Sequence, residues 1–174
     1  MDSRPPASIE AYLETAQHVC ALTYNHLDTQ RIISSVEDHG AGAIAVFIGT
    51  TRNSFHGKRV TRLEYQAYSR IAIRTLSTIA STVVASATRS DHQPEVPLEI
   101  TRANPIIRCA IHHRLGTIPV GEASIVIAVS APHRHEAFAV CEELLEEVKK
   151  KAQIWKREFY EGEDDSAAEW KVNT

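Results

Sequence analysis

Two hydrophobic periodicities alternate along the chain, and each predicts one kind of secondary structure. Apolar residues recur every three to four positions over residues 28–38, 71–87 and 132–152, which predicts three amphipathic helices. Shorter apolar or alternating runs predict strands at residues 19–27, 43–48, 60–68, 106–113, 124–130 and 154–160. Helices separated by pairs of strands indicate an α+β fold, with a largely antiparallel sheet and packed helices in a single domain.

The same pattern predicts which side chains are buried. The run from Ala43 to Ile48 is continuously apolar, which predicts a buried strand. Ile71 is expected on the buried face of the second helix, and Phe138 on the buried face of the third. Residues 116–121 are expected to form a turn, and residues 88–105, which contain three prolines, a loop.

Length and composition fit one soluble globular domain. The chain has 174 residues, of which 43% are hydrophobic and 24% charged, and this balance excludes the disordered and membrane-embedded classes. We expect residues 1–16 to be a loose N-terminal arm, residues 17–160 the main folded region, and residues 161–174 a mobile acidic tail of the same domain. No secretory signal is recognisable, and no apolar run reaches the ~20 residues of a membrane helix, so a cytosolic protein is expected.

The three cysteines are consistent with the cytosol. Cys20, Cys109 and Cys141 are far apart in sequence, and none has the spacing of a zinc-ligand pair. Each has apolar neighbours, which predicts buried, unreactive thiols in a reducing compartment.

Charge is distributed unevenly along the chain. The net charge is −3, but residues 42–140 carry six acidic and eleven basic residues, a net of +5, and ten of the eleven are arginines. Arginine suits bidentate binding of phosphate or carboxylate, although a solvated surface explains the excess equally well. A nucleic-acid-binding module is disfavoured because the whole chain is acidic and lacks a strand with stacking aromatic residues.

Two basic motifs follow predicted strands. Arg52 comes directly after the apolar run that ends at Gly49, at a sheet edge where ligands often bind, although an exposed loop arginine is the simpler alternative. His133 and Arg134 stand where a strand passes into a helix, whose free N–H groups favour an anion. Cations are locally unfavourable there, so an acidic ligand would explain them, whereas a capping His133 and a solvated Arg134 are the alternative.

Two further motifs carry titratable groups. Lys149 to Lys151 end the third helix, where the helix dipole already favours cations, and Lys156 and Arg157 follow shortly after. A lysine in a partly dry pocket beside other cations has a lowered pKa and can act as nucleophile or base. The adjacent His112 and His113 point to opposite faces of a strand, so one is expected to be packed and the other exposed, without a shared metal.

Together these segments resemble the MoaE family, the large catalytic subunit of molybdopterin synthase. The resemblance begins near Val19 and continues to the end of the chain in the family's order. The matching stretches are residues 42–53, 63–68, 113–116, 120–122, 129–134, 137–138 and 149–158.

The resemblance implies a fold of the α/β-hammerhead type and a sulfurtransferase activity. Such an enzyme inserts two sulfur atoms into cyclic pyranopterin monophosphate and so forms the dithiolene of molybdopterin, in molybdenum cofactor biosynthesis. The sulfur arrives as a thiocarboxylate on the C-terminal glycine of a ubiquitin-like, MoaD-like small subunit. The implied assembly is a heterotetramer around a homodimer of large subunits. No metal or other cofactor is implied, because the small subunit supplies the sulfur.

The resemblance also assigns roles to individual residues. Lys149 and Lys156 occupy the family's active-site lysine positions and are the implied catalytic residues, which would hold the anionic thiocarboxylate. The implied substrate-binding residues are Arg52, His133, Arg134, Lys149, Lys156, Arg157 and Glu158.

Some positions depart from the family's pattern. Gln153 stands where a proline usually precedes the segment around Lys156, and Thr51 stands where valine is usual. The N-terminal arm at 1–16 lies outside the resemblance. A non-catalytic protein that only docks the small subunit is the alternative function. It would be expected to have lost active-site residues, whereas His133, Arg134, Lys149 and Lys156 are all present.

Overall fold

The computed structural model describes residues 5–87 and 105–173, which form ten strands, three α-helices and one 3₁₀ turn. The helices are α1 (Thr29–Ser34), α2 (Ser69–Ser86) and α3 (Arg134–Lys151), and the 3₁₀ turn covers Asp165–Ala167. The first five strands are β1 (Ala11–Glu14), β2 (His18–Thr23), β3 (Ala43–Thr50), β4 (Ser54–Phe55) and β5 (Lys58–Ala67). The others are β6 (Arg108–Arg114), β7 (Gly116–Pro119), β8 (Ala123–Ala131), β9 (Ile154–Tyr160) and β10 (Lys171–Val172).

The strands form two sheets. The larger has the order β1-β2-β6-β8-β3, and all its neighbours are antiparallel except β2 and β6. The smaller has the order β10-β9-β5-β4, and β7 also pairs with β5. The α+β prediction with a largely antiparallel sheet is therefore confirmed, and the predicted loop at 88–105 lies outside the described residues except for Pro105.

Packing on the larger sheet explains why β8 is apolar along its whole length. Ile127 and Val129 face the core that α2 and α3 cover, whereas Val126 and Ala128 face the smaller cluster beneath α1. Successive side chains of a strand point to opposite faces, so a strand covered on both sides has no polar face. The interior of this sheet thus fixes the position of α3, which carries Lys149.

The apolar run at 43–48 forms an edge strand, so the prediction of a buried strand is wrong. Among the described residues β3 pairs only with β8. Ala45 is buried, but the exposed fractions of Ile44, Val46 and Ile48 are 37%, 37% and 44%. An apolar run shows that a strand avoids water, but it does not show which neighbour covers the strand.

Two predicted core residues also lie at the surface. Ile71 of α2 and Phe138 of α3 are 58% and 67% exposed. The buried face of α3 instead carries Ala137, Val140, Cys141, Leu144 and Val148. The true helix face is therefore rotated slightly from the one that the sequence predicts, because neighbouring apolar residues fit two overlapping stripes.

Three segments that were expected to be irregular form strands. Residues 116–119 of the predicted turn form β7, and residues 11–14 of the predicted loose arm form β1. Within the predicted mobile tail, β10 pairs with β9. The tail is held by ion pairs to the smaller sheet, namely Lys58–Glu163, Arg59–Glu161 and Arg62–Asp165.

Candidate functional site

A cleft of about 610 Å³ opens where the end of β3, the smaller sheet and the last turns of α3 meet. Gly49 lines it at the irregularity that ends the pairing of β3 with β8. A Cβ at Gly49 would lie 2.7 Å from Ile125 Cγ2, so only glycine allows this close approach. The cleft also contains Arg52, Lys149, Lys156 and Glu158, four of the seven predicted site residues.

Lys149 reaches the cleft from the last turn of α3. It lies one turn after Leu145, which also lines the cleft, and its side chain is half-buried. The carbonyl end of a helix favours a cation, so the ammonium group is stabilised there without a carboxylate. Among the described residues no ion-pair partner is found for Lys149, which leaves its charge available to an anionic ligand.

Lys156 and Glu158 enter the cleft from β9. They are two residues apart, so both side chains lie on the same face of the strand. Lys156 Nζ lies 3.7 Å from Glu158 Oε1, and the Tyr160 hydroxyl donates a hydrogen bond of 2.6 Å to Glu158 Oε2. Burial, followed by the hydrogen bond to Glu158, raises the pKa of Tyr160 to about 12. The tyrosine therefore remains a hydrogen-bond donor to Glu158, beside the lysine.

Neutral side chains form the floor of the cleft. His113 packs edge-on against Tyr65, with the ring centroids 4.8 Å apart, and Ser124 is buried nearby. Burial lowers the pKa of His113 to about 4, so its ring is neutral at pH 7. The Nδ1 atom lies 2.8 Å from the Arg114 carbonyl oxygen, to which it must donate, so Nε2 carries the lone pair. The amide of Asn173 donates to that Nε2 at 3.3 Å.

Arg52 lies at the open rim of the cleft. Its side chain is exposed, and its guanidinium carbon lies 5.2 Å from the centroid of the Phe55 ring. The cleft thus has cations at its rim and walls above an uncharged floor. This arrangement suits a ligand with an anionic group and a flat, polar body.

The structure does not bring the other three predicted site residues to this cleft within one chain. His133 and Arg134 are exposed at the start of α3. At the 1.5 Å rise per residue of a helix, their Cα atoms lie about 22 to 24 Å from that of Lys149. Arg157 points to the opposite face of β9 from Lys156. There it donates hydrogen bonds of 2.9 and 2.7 Å to Glu64 and lies over the Trp170 ring.

Sequence reasoning missed Tyr65, Ser124, Lys171 and Asn173 as cleft residues, and it gave His113 no role in a site. Apart from Lys171, which lies in the tail, none of these side chains is charged, so they did not stand out in the charge pattern. Tyr65 and His113 do belong to stretches that carry the family resemblance, which is the one signal that pointed to them. Asn173 had no signal at all, because the tail was expected to be mobile.

The stretch around Arg114 and the stretch ending at Glu122 meet in an ion pair that lies outside the cleft. Arg114 Nη1 donates a short hydrogen bond to Glu122 Oε2, and the arginine side chain is 9% exposed. His26 lies 3.5 Å from the same carboxylate. These two motifs therefore stabilise the loops beside β7, and they position His113 indirectly through the end of β6.

The cysteines are buried, as predicted, and lie away from the cleft lining. Burial raises the pKa of Cys20 and Cys109 to about 12 and that of Cys141 to about 11, so all three stay protonated thiols at neutral pH. Within residues 5–87 and 105–173, no group of three His, Cys, Asp or Glu side chains could hold a metal ion. None of the helices described is long and apolar enough to span a membrane.

Comparison with known sequences gives a consistent result. The sequence model of the family described as "MoaE protein" matches residues 22–151. The molybdopterin synthase catalytic subunit of Coccidioides immitis is 40% identical over 162 residues, which cover 93% of this chain and 74% of that protein. The molybdopterin synthase catalytic subunit 2 of Aedes aegypti is 40% identical over 152 residues, or 87% of each chain.

Solved structures show the same fold. The crystal structure of molybdopterin synthase from Staphylococcus aureus superposes with a TM-score of 0.70 and 25% identity, over 86% of this chain and 94% of that one. A complex of subunits 1 and 2 of molybdopterin-converting factor from Helicobacter pylori contains a chain that matches with a TM-score of 0.58 and 19% identity, over 83% and 86% of the two chains. At that identity the second match supports the fold alone.

Proposed function

The chain belongs to the MoaE family, and from this premise we propose that its cleft is the sulfur-transfer site of a molybdopterin synthase. The reaction inserts two sulfur atoms into cyclic pyranopterin monophosphate and forms the molybdopterin dithiolene. The sulfur donor is the C-terminal thiocarboxylate of a ubiquitin-like small subunit. The observation that carries the proposal is that Arg52, Lys149 and Lys156, from three separate segments, converge on one cleft.

The charges in the cleft match both reactants. A thiocarboxylate and a cyclic phosphate are anions, and each needs fixed cations where water is partly excluded. Lys149 holds the thiocarboxylate and neutralises charge that develops during transfer, and Lys156 assists it from β9. Glu158 keeps Lys156 directed into the cleft through their 3.7 Å contact. Arg52 binds the phosphate at the rim, and the neutral floor accommodates the pterin body.

No thiol of this chain takes part in the proposed transfer. The three cysteines are buried with raised pKa values, whereas a sulfur relay needs an accessible thiolate. Since the partner supplies the sulfur, the reaction as proposed uses no metal or other cofactor. The free thiols also fit a cytosolic location, which is part of the proposal.

A homodimer of large subunits would bring His133 and Arg134 to the partner's cleft. The unpaired edge of β3 and the apolar face of Ile44, Val46 and Ile48 favour a twofold contact along this strand. In an antiparallel arrangement, the Ala43 end of one β3 lies beside the Thr50 end of its copy. Ala43 pairs with Ala131 at the end of β8, so His133 and Arg134 lie near the Ala43 end of β3. The cleft lies at the Thr50 end. The substrate phosphate would then bind between two chains.

Reconstitution tests the proposed reaction. The purified chain is mixed with thiocarboxylated small subunit and cyclic pyranopterin monophosphate, and dithiolene is measured in a single turnover. We expect dithiolene only when all three components are present. Tight binding of the small subunit without dithiolene would support the alternative, a non-catalytic docking protein.

Mixing two impaired variants tests the shared site, at a pterin concentration too low to occupy the weakened site of Arg134→Ala. Lys149→Ala and Arg134→Ala chains are co-expressed so that they form mixed dimers, each with one intact cleft and one doubly altered cleft. Random pairing should recover about a quarter of wild-type activity, because half of the dimers then carry one intact site of two. Activity no higher than that of either variant alone would place all the essential residues in one chain.

A further inference from the structure

The two cleft lysines are joined by a very short connection. Lys149 lies in the last turn of α3 and Lys156 near the start of β9, and only Ala152 and Gln153 separate the two elements. Any change in the path of this link moves one lysine relative to the other. The link therefore controls the geometry of the proposed transfer site, on which the inference below rests.

Gln153 makes three hydrogen bonds that tie the link to both helices. Its Nε2 donates to the Lys151 carbonyl oxygen at 2.9 Å, and its Oε1 accepts from the Thr75 hydroxyl of α2 at 2.8 Å. Its backbone carbonyl accepts from the Tyr68 N–H at 3.2 Å, just before α2 begins. The Lys151 carbonyl is one of the groups that a helix leaves without an internal partner at its C-terminus. The amide thus joins the end of α3 to the side of α2.

The neighbouring residues of the link are held by their own contacts. The N–H of Ala152 donates to Val148 O at 3.0 Å, and the N–H of Ile154 donates to Ala152 O at 2.9 Å. Ile154 is buried in the main core. Both ends of the link are therefore fixed, and the side chain of Gln153 restrains the bend between them.

We propose that Gln153 is a positioning residue, whose amide sets the separation of Lys149 and Lys156 by clamping the α3–β9 link to Thr75. Gln153 does not line the cleft, so it acts through the two lysines and touches no reactant. Binding of each reactant depends mainly on the charges, whereas transfer depends on the distance between them. Loss of the clamp therefore reduces turnover more than affinity.

The backbone at this point also accepts a different restraint. Ala152 has φ −71° and ψ 138°, the extended region that a residue before proline adopts. No hydrogen bond involving the Gln153 N–H is found among the described residues, so a proline there removes no such bond. A proline ring would restrain the link covalently, which is the function that the amide performs here by hydrogen bonding. In this chain the side-chain contacts of Gln153 restrain the α3–β9 link, whereas the proline that is usual in the family would restrain it through its ring.

Four single variants test the clamp by kinetics. Gln153→Ala removes the amide, Thr75→Val removes its partner hydroxyl, and Gln153→Pro supplies the alternative restraint. The exposed Thr78→Ala, on the same helix, is the matched control. We expect Gln153→Ala and Thr75→Val each to lower kcat about tenfold, with KM for the small subunit within about twofold of wild type. We expect Gln153→Pro and Thr78→Ala to stay within about threefold of wild-type kcat.

A distance measurement separates this inference from the proposed function. Spin labels are attached to Lys149→Cys and Lys156→Cys in the otherwise native chain, where the native cysteines are buried. The distribution of label distances is then compared among three labelled chains, which carry the native Gln153, the Gln153→Ala change or the Gln153→Pro change. A broader distribution for Gln153→Ala alone supports the clamp, even if no dithiolene forms and the proposed function fails.

An unchanged distribution for Gln153→Ala overturns the clamp, whatever the kinetics. Wild-type kcat in a folded Gln153→Ala variant, when wild type itself is active, overturns its role in transfer. A Gln153→Pro variant that is folded yet as slow as Gln153→Ala also contradicts the inference, because a restrained link should then suffice. Thermal unfolding of each variant shows which ones are folded.

Discussion

The two ends of α3 both carry cations, but the helix itself favours them at only one end. At the C-terminus, Lys149 to Lys151 lie beside carbonyl groups whose dipoles attract positive charge. At the N-terminus, Arg134 lies beside free N–H groups that repel it, and His133, the residue at the N-cap, makes no side-chain capping hydrogen bond. Glu136 is the one acidic residue of the first turn.

This difference shows which charges are informative about a ligand. Lysines are common at the C-terminal ends of helices, so their presence there does not by itself indicate a ligand. For Lys149, the indication comes from the cleft that it lines. Arg134 has no such local explanation, and the anion proposed above, bound from outside the chain, would supply one. The same helix therefore carries one cation in the cleft of its own chain and another, exposed, about 22 Å away.

The largest effect is expected at the C-terminal end of α3. Lys149→Ala should lower dithiolene formation about 10²–10³-fold, because it removes the charge that stabilises the transferring thiocarboxylate. Small-subunit binding and the melting temperature should change little. Lys150→Ala is the matched control, since Lys150 is exposed and outside the cleft lining. Normal single-turnover rates in a folded Lys149→Ala chain would remove the functional distinction between neighbouring lysines.

At the N-terminal end, the effect should fall on binding of the pterin. Arg134→Ala should weaken pterin binding about ten- to a hundredfold, or about 1.5–3 kcal/mol, because charge-assisted hydrogen bonds to phosphate are lost. Calorimetric titration of the pterin measures this, and Arg70→Ala serves as an exposed-arginine control. Equal affinities for wild type and Arg134→Ala would assign the phosphate to Arg52 alone.

The histidines near the two ends should differ in their effect on stability. The pKa of His113 is about 4 in the folded chain and about 6.5 when unfolded, so the unfolded chain binds the extra proton between these values. The free energy of unfolding should therefore fall by about 2 kcal/mol for this group between pH 7 and pH 5. Urea titrations should show a smaller loss for His113→Gln, whereas the exposed His135→Gln should keep the wild-type loss. An identical pH dependence in all three would contradict the buried, neutral assignment.

The smallest effect on turnover is expected from the cysteines. A variant with Cys20, Cys109 and Cys141 changed to Ala should retain sulfur transfer with some loss of stability, because the thiols are buried and protonated. Single-turnover assays with the small subunit measure the transfer. A folded triple variant that binds the small subunit but transfers no sulfur would reveal a persulfide step in this chain.

Sequence patterns predicted the elements better than their surroundings. The alternating run at 60–68 lies within β5, and the helix predicted at 28–38 contains α1, whose N-cap Asp28 accepts a hydrogen bond from the Arg31 N–H. The prediction that β3 and Phe138 are buried was wrong, because burial depends on which distant segment covers a surface. β10 was missed because its two residues pair with β9 and have no periodicity of their own.

The residues of the candidate site likewise fall into those that the sequence predicted and those that it missed. Arg52, Lys149, Lys156 and Glu158 were predicted because charge stands out in a sequence and because the family resemblance marked them. Tyr65, Ser124 and Asn173 were not, because neutral polar groups become notable only when folding buries them together. The separation of Arg134 from Lys149 did follow from the predicted helix at 132–152, because fifteen residues of helix span about 22 Å. The family resemblance nevertheless assigned both residues to one site.

The exposed edge of β3 has a consequence for the solution behaviour of the chain. Its eight residues contain no lysine, glutamate or proline, the residues that usually prevent a strand edge from recruiting other chains. Outside the proposed homodimer this edge is an uncharged, apolar template, and we expect aggregation to begin there on overexpression or when dilution dissociates the dimer. Light scattering should show less aggregation for Val46→Lys, and the same charge should prevent the proposed dimer contact. The strand proposed to mediate specific assembly is thus also the strand through which colloidal stability would be lost.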